Sequence, residues 1–161
     1  MVCIHVKRDV TRPKSNATPT PPNNQFSPTI TPKMPNQLTI AFVYDPKAPY
    51  LSKGYSESFC ADLADEATIT AISNALHKLG NDVIHVPGIE PLVQLLAAGE
   101  HENWDLVFNY SEGVGGSARE SQIPGLLEGY GLVYTFSDAA CLAFCADKAK
   151  TKVSTASHYI A

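Results

Sequence analysis

The chain has 161 residues, of which 44% are hydrophobic, and this is the size and composition of one globular domain. No apolar run reaches the ~18 residues of a membrane-spanning helix, so no membrane partner is expected. Residues 1–36 hold five basic side chains against one acidic, whereas residues 37–161 hold seven against 15. The acidic balance of the second part predicts no nucleic-acid partner.

Residues 1–36 are dominated by Pro, Thr, Ser and Asn without periodicity, which predicts a disordered tail. The stretch is basic and rich in hydroxyl groups, so an organelle-targeting role stays open, although its prolines disfavour the amphipathic helix of such a segment. Translation from Met34 is a third possibility. With no secretory signal, we expect a cytoplasmic protein.

The first predicted strand is Leu38 to Tyr44, an apolar run typical of a strand covered on both faces. A long loop, Asp45 to Ala61, follows it. Asp62 to Gly80 predicts a helix with Asp62 as its cap and a single apolar face. The remaining predicted elements, in chain order, are strand Val83 to Val86, helix Pro91 to Ala98, strand Leu106 to Asn109, helix Gln122 to Tyr130, strand Leu132 to Phe136, a helix capped by Ser137 and a helix capped by Asp147.

Strands alternate with helices along residues 37–147, and this order indicates βαβ units. The predicted fold class is α/β, with a small Rossmann-like parallel sheet flanked by helices. We predict that residues 37–147 form one domain of this class.

A glycine-rich acidic loop, Ser111 to Glu120, connects the third strand to a helix. In a parallel sheet, ligands collect at this carboxyl end. Glu112 and Glu120 are candidates to bind an ammonium group and Arg119 a carboxylate, a combination that suits an amino acid. The loop residues Gly113, Gly115, Gly116 and Ser117 would bring backbone amides close to it.

Two other interpretations of this loop remain. It is a tight solvated connection in which Arg119 pairs with a local acid, or Gly113, Gly115 and Ala118 form part of a dinucleotide fingerprint. The dinucleotide interpretation is disfavoured because that fingerprint belongs to the first strand of a sheet, and because Glu112 opposes a pyrophosphate. The spacing of the four cysteines predicts no metal site.

A cationic cluster formed by Lys148, Lys150 and Lys152 follows Asp147. Phosphate contact is its functional interpretation. A solvated charged turn is the alternative, and without further context it is the simpler one.

Several segments, in order, resemble the D-alanine–D-alanine ligases and their near relatives among the ATP-grasp enzymes. They are Asp62 to Ile69, Asp105 to Asn109, Glu112-Gly113, Gly116, Arg119-Glu120, Pro124 to Glu128, Gly131 to Phe136, Asp138 and Asp147 to Lys152. The resemblance covers roughly residues 37–161. It departs at Glu112-Gly113, where the common ligases have His-Gly, so the identity of the amino acid stays open.

The resemblance implies that residues 37–147 are an amino-terminal (pre-ATP-grasp) substrate domain that helps to hold the first amino acid, and that residues 148–161 are the start of a truncated ATP-grasp region. Complete enzymes of this kind use ATP and magnesium to form an acyl phosphate that an amine attacks. By the same resemblance, Glu66 holds the substrate amino group, with Asp65 as the neighbouring alternative, and Lys148 contacts ATP phosphate.

The resemblance also implies that the ATP-grasp lobes lie outside this chain or on a separate chain. We therefore expect no catalytic residue here, no tight binding of ATP or magnesium, and no activity at this length. The alternative is a non-catalytic, stand-alone module that binds an amino acid or another protein.

Overall fold

Three parallel strands form the centre of the computed structural model, which describes residues 37–158 and their side chains through residue 156. The strands are β1 (Thr39–Tyr44), β2 (Asp82–Pro87) and β3 (Leu106–Tyr110), and their order in the sheet is β2-β1-β3. In the register of the sheet, Ile40 lies opposite both Val83 and Leu106. The central strand β1 is buried because β2 and β3 flank it and other residues pack on both faces of the sheet.

Six helices are connected to this sheet in the described part of the chain. They are α1 (Lys47–Ser52), α2 (Glu66–Lys78), α3 (Ile89–Ala97), α4 (Gln122–Gly129), α5 (Ala139–Ala146) and α6 (Lys148–His158), with 3₁₀ turns at Glu100–Asn103 and Arg119–Ser121. The predicted α/β fold, a small Rossmann-like parallel sheet flanked by helices, is confirmed. The predictions for residues 1–36, including the start at Met34, lie outside the described residues.

The alternation of side chains along β1 divides the core between the two faces of the sheet. On one face, Ala41 and Val43 pack with residues of α3 and α4, among them Leu92 and Leu127. On the other face, Phe42 and Tyr44 pack with Ile69 of α2 and its neighbours. Phe42 is fully buried, and such a side chain contributes roughly 1.5–3 kcal/mol to stability.

The helix α2 begins later than the sequence predicted. Asp65 caps it, because its Oδ1 accepts a hydrogen bond from the Thr68 amide at 2.7 Å. This bond lowers the pKa of the Asp65 carboxyl. The prediction that Asp62 caps the helix is therefore wrong. Asp62 lies one turn earlier and pairs with Arg119 instead.

The predicted fourth strand, Leu132 to Phe136, is wrong. Val107 makes the one backbone bridge to this segment, donating its N–H to Val133 and accepting from Thr135, at 2.9 and 3.0 Å. The next β3 amide on this side of the strand, that of Asn109, donates to the Thr135 side-chain hydroxyl at 3.1 Å. Phe136 then takes φ +76°, a left-handed conformation that an extended strand cannot contain.

Other local predictions changed in smaller ways. The loop after β1 contains the short helix α1. Asp138 rather than Ser137 caps α5, accepting from the Cys141 amide at 2.7 Å. The predicted cap at Asp147 is confirmed, since its Oδ1 accepts from the amides of Ala149 and Lys150 at 3.0 and 3.1 Å.

Candidate functional site

A carboxylate at the end of β1 holds the glycine-rich loop that follows β3. Asp45 is 4% exposed, and its Oδ2 accepts hydrogen bonds from the amides of Glu112 and Gly113 at 3.0 and 2.8 Å. Hydrogen bonds to a charged acceptor stabilise by about 1.5–3 kcal/mol each. The carboxyl ends of two adjacent strands are thereby joined at the edge where ligands bind in parallel sheets.

Gly113 is required where the loop turns back on itself. Its φ is +68°, and a Cβ there would lie 2.6 Å from the carbonyl carbon of Arg119. Any larger residue would therefore collide with backbone. The outer part of the loop is more open: Gly115, Gly116 and Ser117 are exposed, and the Gln122 side chain donates to the Gly115 carbonyl at 2.7 Å.

Arg119 connects both ends of the loop to the segment before α2. Its Nε donates to the Glu112 carbonyl at 3.2 Å, and its Nη2 donates to Asp62 Oδ2 at 3.1 Å. The same Nη2 lies 3.7 Å from Glu120 Oε1. The structure thus brings together three of the four predicted substrate residues, Glu112, Arg119 and Glu120, and adds Asp62. Their contact with an amino acid stays a prediction.

The electrostatics of this group depend on its excess of carboxylates. Burial raises the pKa of Glu112 first, and the charges of Glu120 and Asp62 raise it further. Arg119 acts in the opposite direction. Glu112 is half-buried, so its carboxyl group is partly desolvated and lies near other negative charges.

A small cavity of about 80 Å³ opens beside this group. Asp45 and Gly113 line it together with side chains of α1, α3 and α4. The other lining residues are Tyr50, Ile89, Val114, Gly115, Arg119, Gln122 and Ile123. Drug-sized ligands occupy pockets of ~300–1,000 Å³, so this volume suits one small group of a ligand.

Glu66, predicted to hold the substrate amino group, opens α2 and is exposed. Its charge contributes, after burial, to the raised pKa of Tyr44. Tyr44 directly precedes Asp45, so Glu66 lies at the same edge of the sheet. Among the described residues, its interactions do not include the group formed by Glu112 and Arg119. The prediction for Glu66 stays untested.

Lys148, predicted to contact ATP, is the first residue of α6 and is exposed. The lysine that pairs with Asp147 is Lys150, whose Nζ lies 3.1 Å from Asp147 Oδ2. No ion pair joins Lys148 to another residue of the described range 37–158. Lys148 is thus sterically able to meet a phosphate, and its role stays a prediction.

Asp45 and Asp62 are the site residues that sequence reasoning missed. Asp62 was interpreted as a helix cap, and Asp45 as the beginning of a loop. The position of Asp45 carried a signal, because the residue directly after a buried parallel strand lies at the ligand-binding edge. The partners of both carboxylates lie 57 to 68 residues away in sequence, and no local pattern identifies them.

Two further properties bear on ligands. None of the described helices has the length and apolar composition that a membrane crossing requires. Within residues 37–158, no three His, Cys, Asp or Glu side chains are arranged to hold a metal ion.

The fold and site define a small parallel α/β unit with an acidic glycine loop at its carboxyl edge, and sequence comparison gives its relatives. The chain is 36% identical over 81 residues to a D-alanine–D-alanine ligase of Xanthomonas axonopodis pv. citri, and 36% identical over 90 residues to D-alanine–D-alanine ligase B of Xanthomonas campestris pv. campestris. A D-alanine–D-alanine ligase of Xylella fastidiosa is 32% identical over 81 residues.

These matches cover 50%, 54% and 50% of this chain, but only 24%, 27% and 26% of the ligases. The chain therefore spans about a quarter of the length of the curated relatives that it matches. No family model and no solved structure matches it. The predicted resemblance is confirmed: over about half its length, the chain is a relative of the D-alanine–D-alanine ligases.

Proposed function

We propose that this chain is the amino-terminal, substrate-holding part of an ATP-dependent carboxylate–amine ligase. In the complete enzyme, a carboxylate would be activated as an acyl phosphate and attacked by an amine. Glu66, Glu112, Arg119 and Glu120 would contact the amino-acid substrate.

The observation that carries this proposal is the glycine-rich loop held by Asp45. The loop presents Glu112 beside a cavity at the carboxyl edge of the sheet. Proteins related to this chain over about half of its length are named as ligases of an amino acid. An acidic loop at this edge is suited to an amine-bearing molecule, because carboxylates bind ammonium groups.

Lys148 would supply a contact to the phosphates of ATP. It is exposed at the start of α6, where the helix dipole also favours an anion. The rest of the ATP and magnesium site would come from lobes outside the described residues or from a separate chain. We assign none of the described residues a catalytic step.

Apolar side chains near the carboxyl-terminal helices support a docking role for this end of the domain. Phe136, Phe144 and Val153 are 39%, 39% and 73% exposed. In the proposal, these side chains pack against the ATP-binding lobes. Such contact would remove their apolar surface from water.

The test is ATP turnover by the protein as its source cell makes it, after an immunoblot against this domain has established its size. We expect phosphate release that depends on one of a panel of D- and L-amino acids. Replacing Lys148 with Ala should weaken ATP binding and turnover. Replacing Lys78 with Ala, at the exposed end of α2, is the matched control. A folded protein without amino-acid-dependent turnover would contradict the proposal.

A non-catalytic amino-acid-binding module is the second candidate, and the cavity beside Asp45 is the observation that favours it. Thermal melting of the chain alone with the same amino-acid panel separates the two. A ligand at 100 times its dissociation constant adds ~2.7 kcal/mol of apparent stability. A melting shift in a protein that never hydrolyses ATP would favour the module, and no shift with any amino acid would count against it.

A further inference from the structure

We propose that the thiols of Cys141 and Cys145 form a two-ligand site for a soft metal ion of the Cu(I) class on the exposed face of α5. Both cysteines are free and exposed, whereas the third described cysteine, Cys60, is buried. The pair lies on α5 and does not line the cavity beside Asp45. The inference therefore goes beyond the proposed function and does not depend on it.

The spacing of the two cysteines places their thiols side by side. The helix α5 runs from Ala139 to Ala146, so Cys141 and Cys145 are four positions apart within it. Residues at this spacing are neighbours on the helix surface, with ~5–6 Å between their Cβ atoms. The two side chains also interact, because a hydrogen bond with the Cys141 thiol is the largest cause of the raised pKa of Cys145. The pair is thus a single site with two sulfur atoms.

The geometry of a helix favours a bridging ion over a disulfide at this pair. A disulfide requires ~3.5–4.5 Å between Cβ atoms, which is shorter than a regular helix allows at a spacing of four. The start of α5 is fixed by Asp138, whose Oδ1 accepts from the Cys141 amide at 2.7 Å. Metal–sulfur bonds of ~2.3 Å let an ion join two sulfur atoms up to ~4.6 Å apart. An ion therefore connects the thiols without unwinding the helix.

The protonation state of the thiols favours the same ligand. Oxidants react with the thiolate, and the raised pKa of Cys145 keeps this group protonated near neutral pH. A soft metal ion displaces the proton instead: each sulfur–metal bond forms as the thiol proton passes to water, and the metal keeps its oxidation state. The pair is therefore better suited to binding a metal than to forming a redox couple.

The surroundings of the pair favour a positive ion. The last turn of α5 carries no basic side chain, although the carboxyl end of a helix favours cations. The helix packs against the turn Arg119–Ser121, and the carboxylate of Glu120 in this turn contributes to the raised pKa of Cys145. The same negative charge stabilises a cation held by the thiols. Lys150, which follows α5, is paired with Asp147.

The number of ligands indicates the class of ion. Within residues 37–158, no three His, Cys, Asp or Glu side chains form a cluster, so the pair supplies two sulfur ligands. A structural zinc ion takes four protein ligands. Thiolates select soft ions such as Cu(I), and two thiolates in a linear arrangement complete the coordination of that ion. The pair therefore fits Cu(I) better than zinc.

The test is competition for Cu(I) on the reduced, full-length chain in the absence of air. Cu(I) bound to bicinchoninate loses its visible absorbance when the protein removes the ion. We expect the protein to take up one equivalent, with its far-ultraviolet circular dichroism unchanged because α5 stays helical. X-ray absorption at the copper edge should then show two sulfur neighbours.

Variants separate the spacing of the thiols from their number. Cys141→Ser and Cys145→Ser should each weaken Cu(I) binding by more than the ~10–100-fold that loss of a supporting residue costs at metal sites. Cys145→Ala combined with Ala146→Cys keeps the number of thiols but turns the second sulfur by about 140° around the helix, so it should also lose binding. Cys3→Ser is the matched control: it removes one thiol outside the described residues and should bind normally.

Full Cu(I) binding by Cys145→Ser, or by the variant with the displaced thiol, would overturn the inference, because the spacing on α5 would then not hold the ion. No transfer of Cu(I) to the folded wild-type chain would overturn it as well. These outcomes are distinguishable from failure of the proposed function. ATP turnover that depends on an amino acid, in a protein that takes up no Cu(I), would leave the ligase proposal standing. Binding of Cu(I) without any turnover would do the reverse.

Discussion

Replacing Gly113 with Ala should destabilise the protein far more than the same change at two other glycines. Gly113 combines φ +68° with a backbone carbonyl against its α-carbon. Gly131 has a similar φ of +69° but open space where a Cβ would stand, and Gly115 has open space without a positive φ. The three positions therefore separate the cost of conformation from the cost of collision.

The expected magnitudes follow from that comparison. A left-handed conformation costs an alanine about 1–2 kcal/mol, so Gly131→Ala should lose about that much. Gly113→Ala adds a collision with backbone that no side-chain rotation relieves, and overpacking of this kind costs roughly 1–3 kcal/mol. The total for Gly113→Ala is about 2–5 kcal/mol, and Gly115→Ala should change stability by less than about 0.5 kcal/mol.

Urea unfolding followed by far-ultraviolet circular dichroism measures all three variants, with the midpoint and slope giving each free energy of unfolding. The expected order of loss is Gly113 first, then Gly131, then Gly115. Equal losses for Gly113→Ala and Gly131→Ala would show that the loop yields to the added methyl group. The close approach to Arg119 would then not be a fixed feature of the fold.

Asp45→Ala should lower the free energy of unfolding by about 2–4 kcal/mol, because two loop amides lose their acceptor. Asp45→Asn should lower it much less. Equal losses for the two variants in urea unfolding would contradict the role of Asp45 as the acceptor for the loop amides. The raised pKa of Glu112 implies that its stabilising contribution is complete below pH 4.5 and is lost as pH rises through its folded pKa. Glu112→Gln should therefore make the free energy of unfolding less dependent on pH over that range. An unchanged pH dependence would refute the raised pKa of Glu112. The pKa of Tyr134 is raised by burial and by its 2.7 Å hydrogen bond to Glu128, so its contribution is present below pH 10 and lost as pH rises above it. Glu128→Gln should lower the pH at which tyrosinate absorbance appears, whereas an unshifted titration would show that this bond is not formed in solution.

The parts of the fold that followed from sequence depend on local patterns. The continuous apolar run that becomes β1 predicted a strand covered on both faces, and Ile40 to Tyr44 are all buried. The single apolar face of α2 predicted its packing, with Ile69 and Leu76 directed into the core. Each of these patterns is set by the period of a strand or a helix.

The parts that sequence reasoning missed depend on distant partners. Leu132 to Phe136 has the composition of a strand. However, the Thr135 hydroxyl accepts the hydrogen bond of the Asn109 amide, which would otherwise continue the ladder between strands. Asp45 acquires its role only when β3 is placed beside β1. In both cases, the deciding bond joins residues at least 26 positions apart, which a local pattern cannot specify.

The bond between Asp45 and the Gly113 amide spans 68 positions of sequence, and this affects how the cavity comes into existence. Its walls lie on segments that meet only after β1 and β3 have paired, so loop closure is completed before the cavity exists. We therefore expect the cavity to form only together with the sheet. A ligand of the cavity stabilises the whole sheet by mass action, and hydrogen exchange of the β1 amides would report its occupancy as directly as a probe placed in the loop.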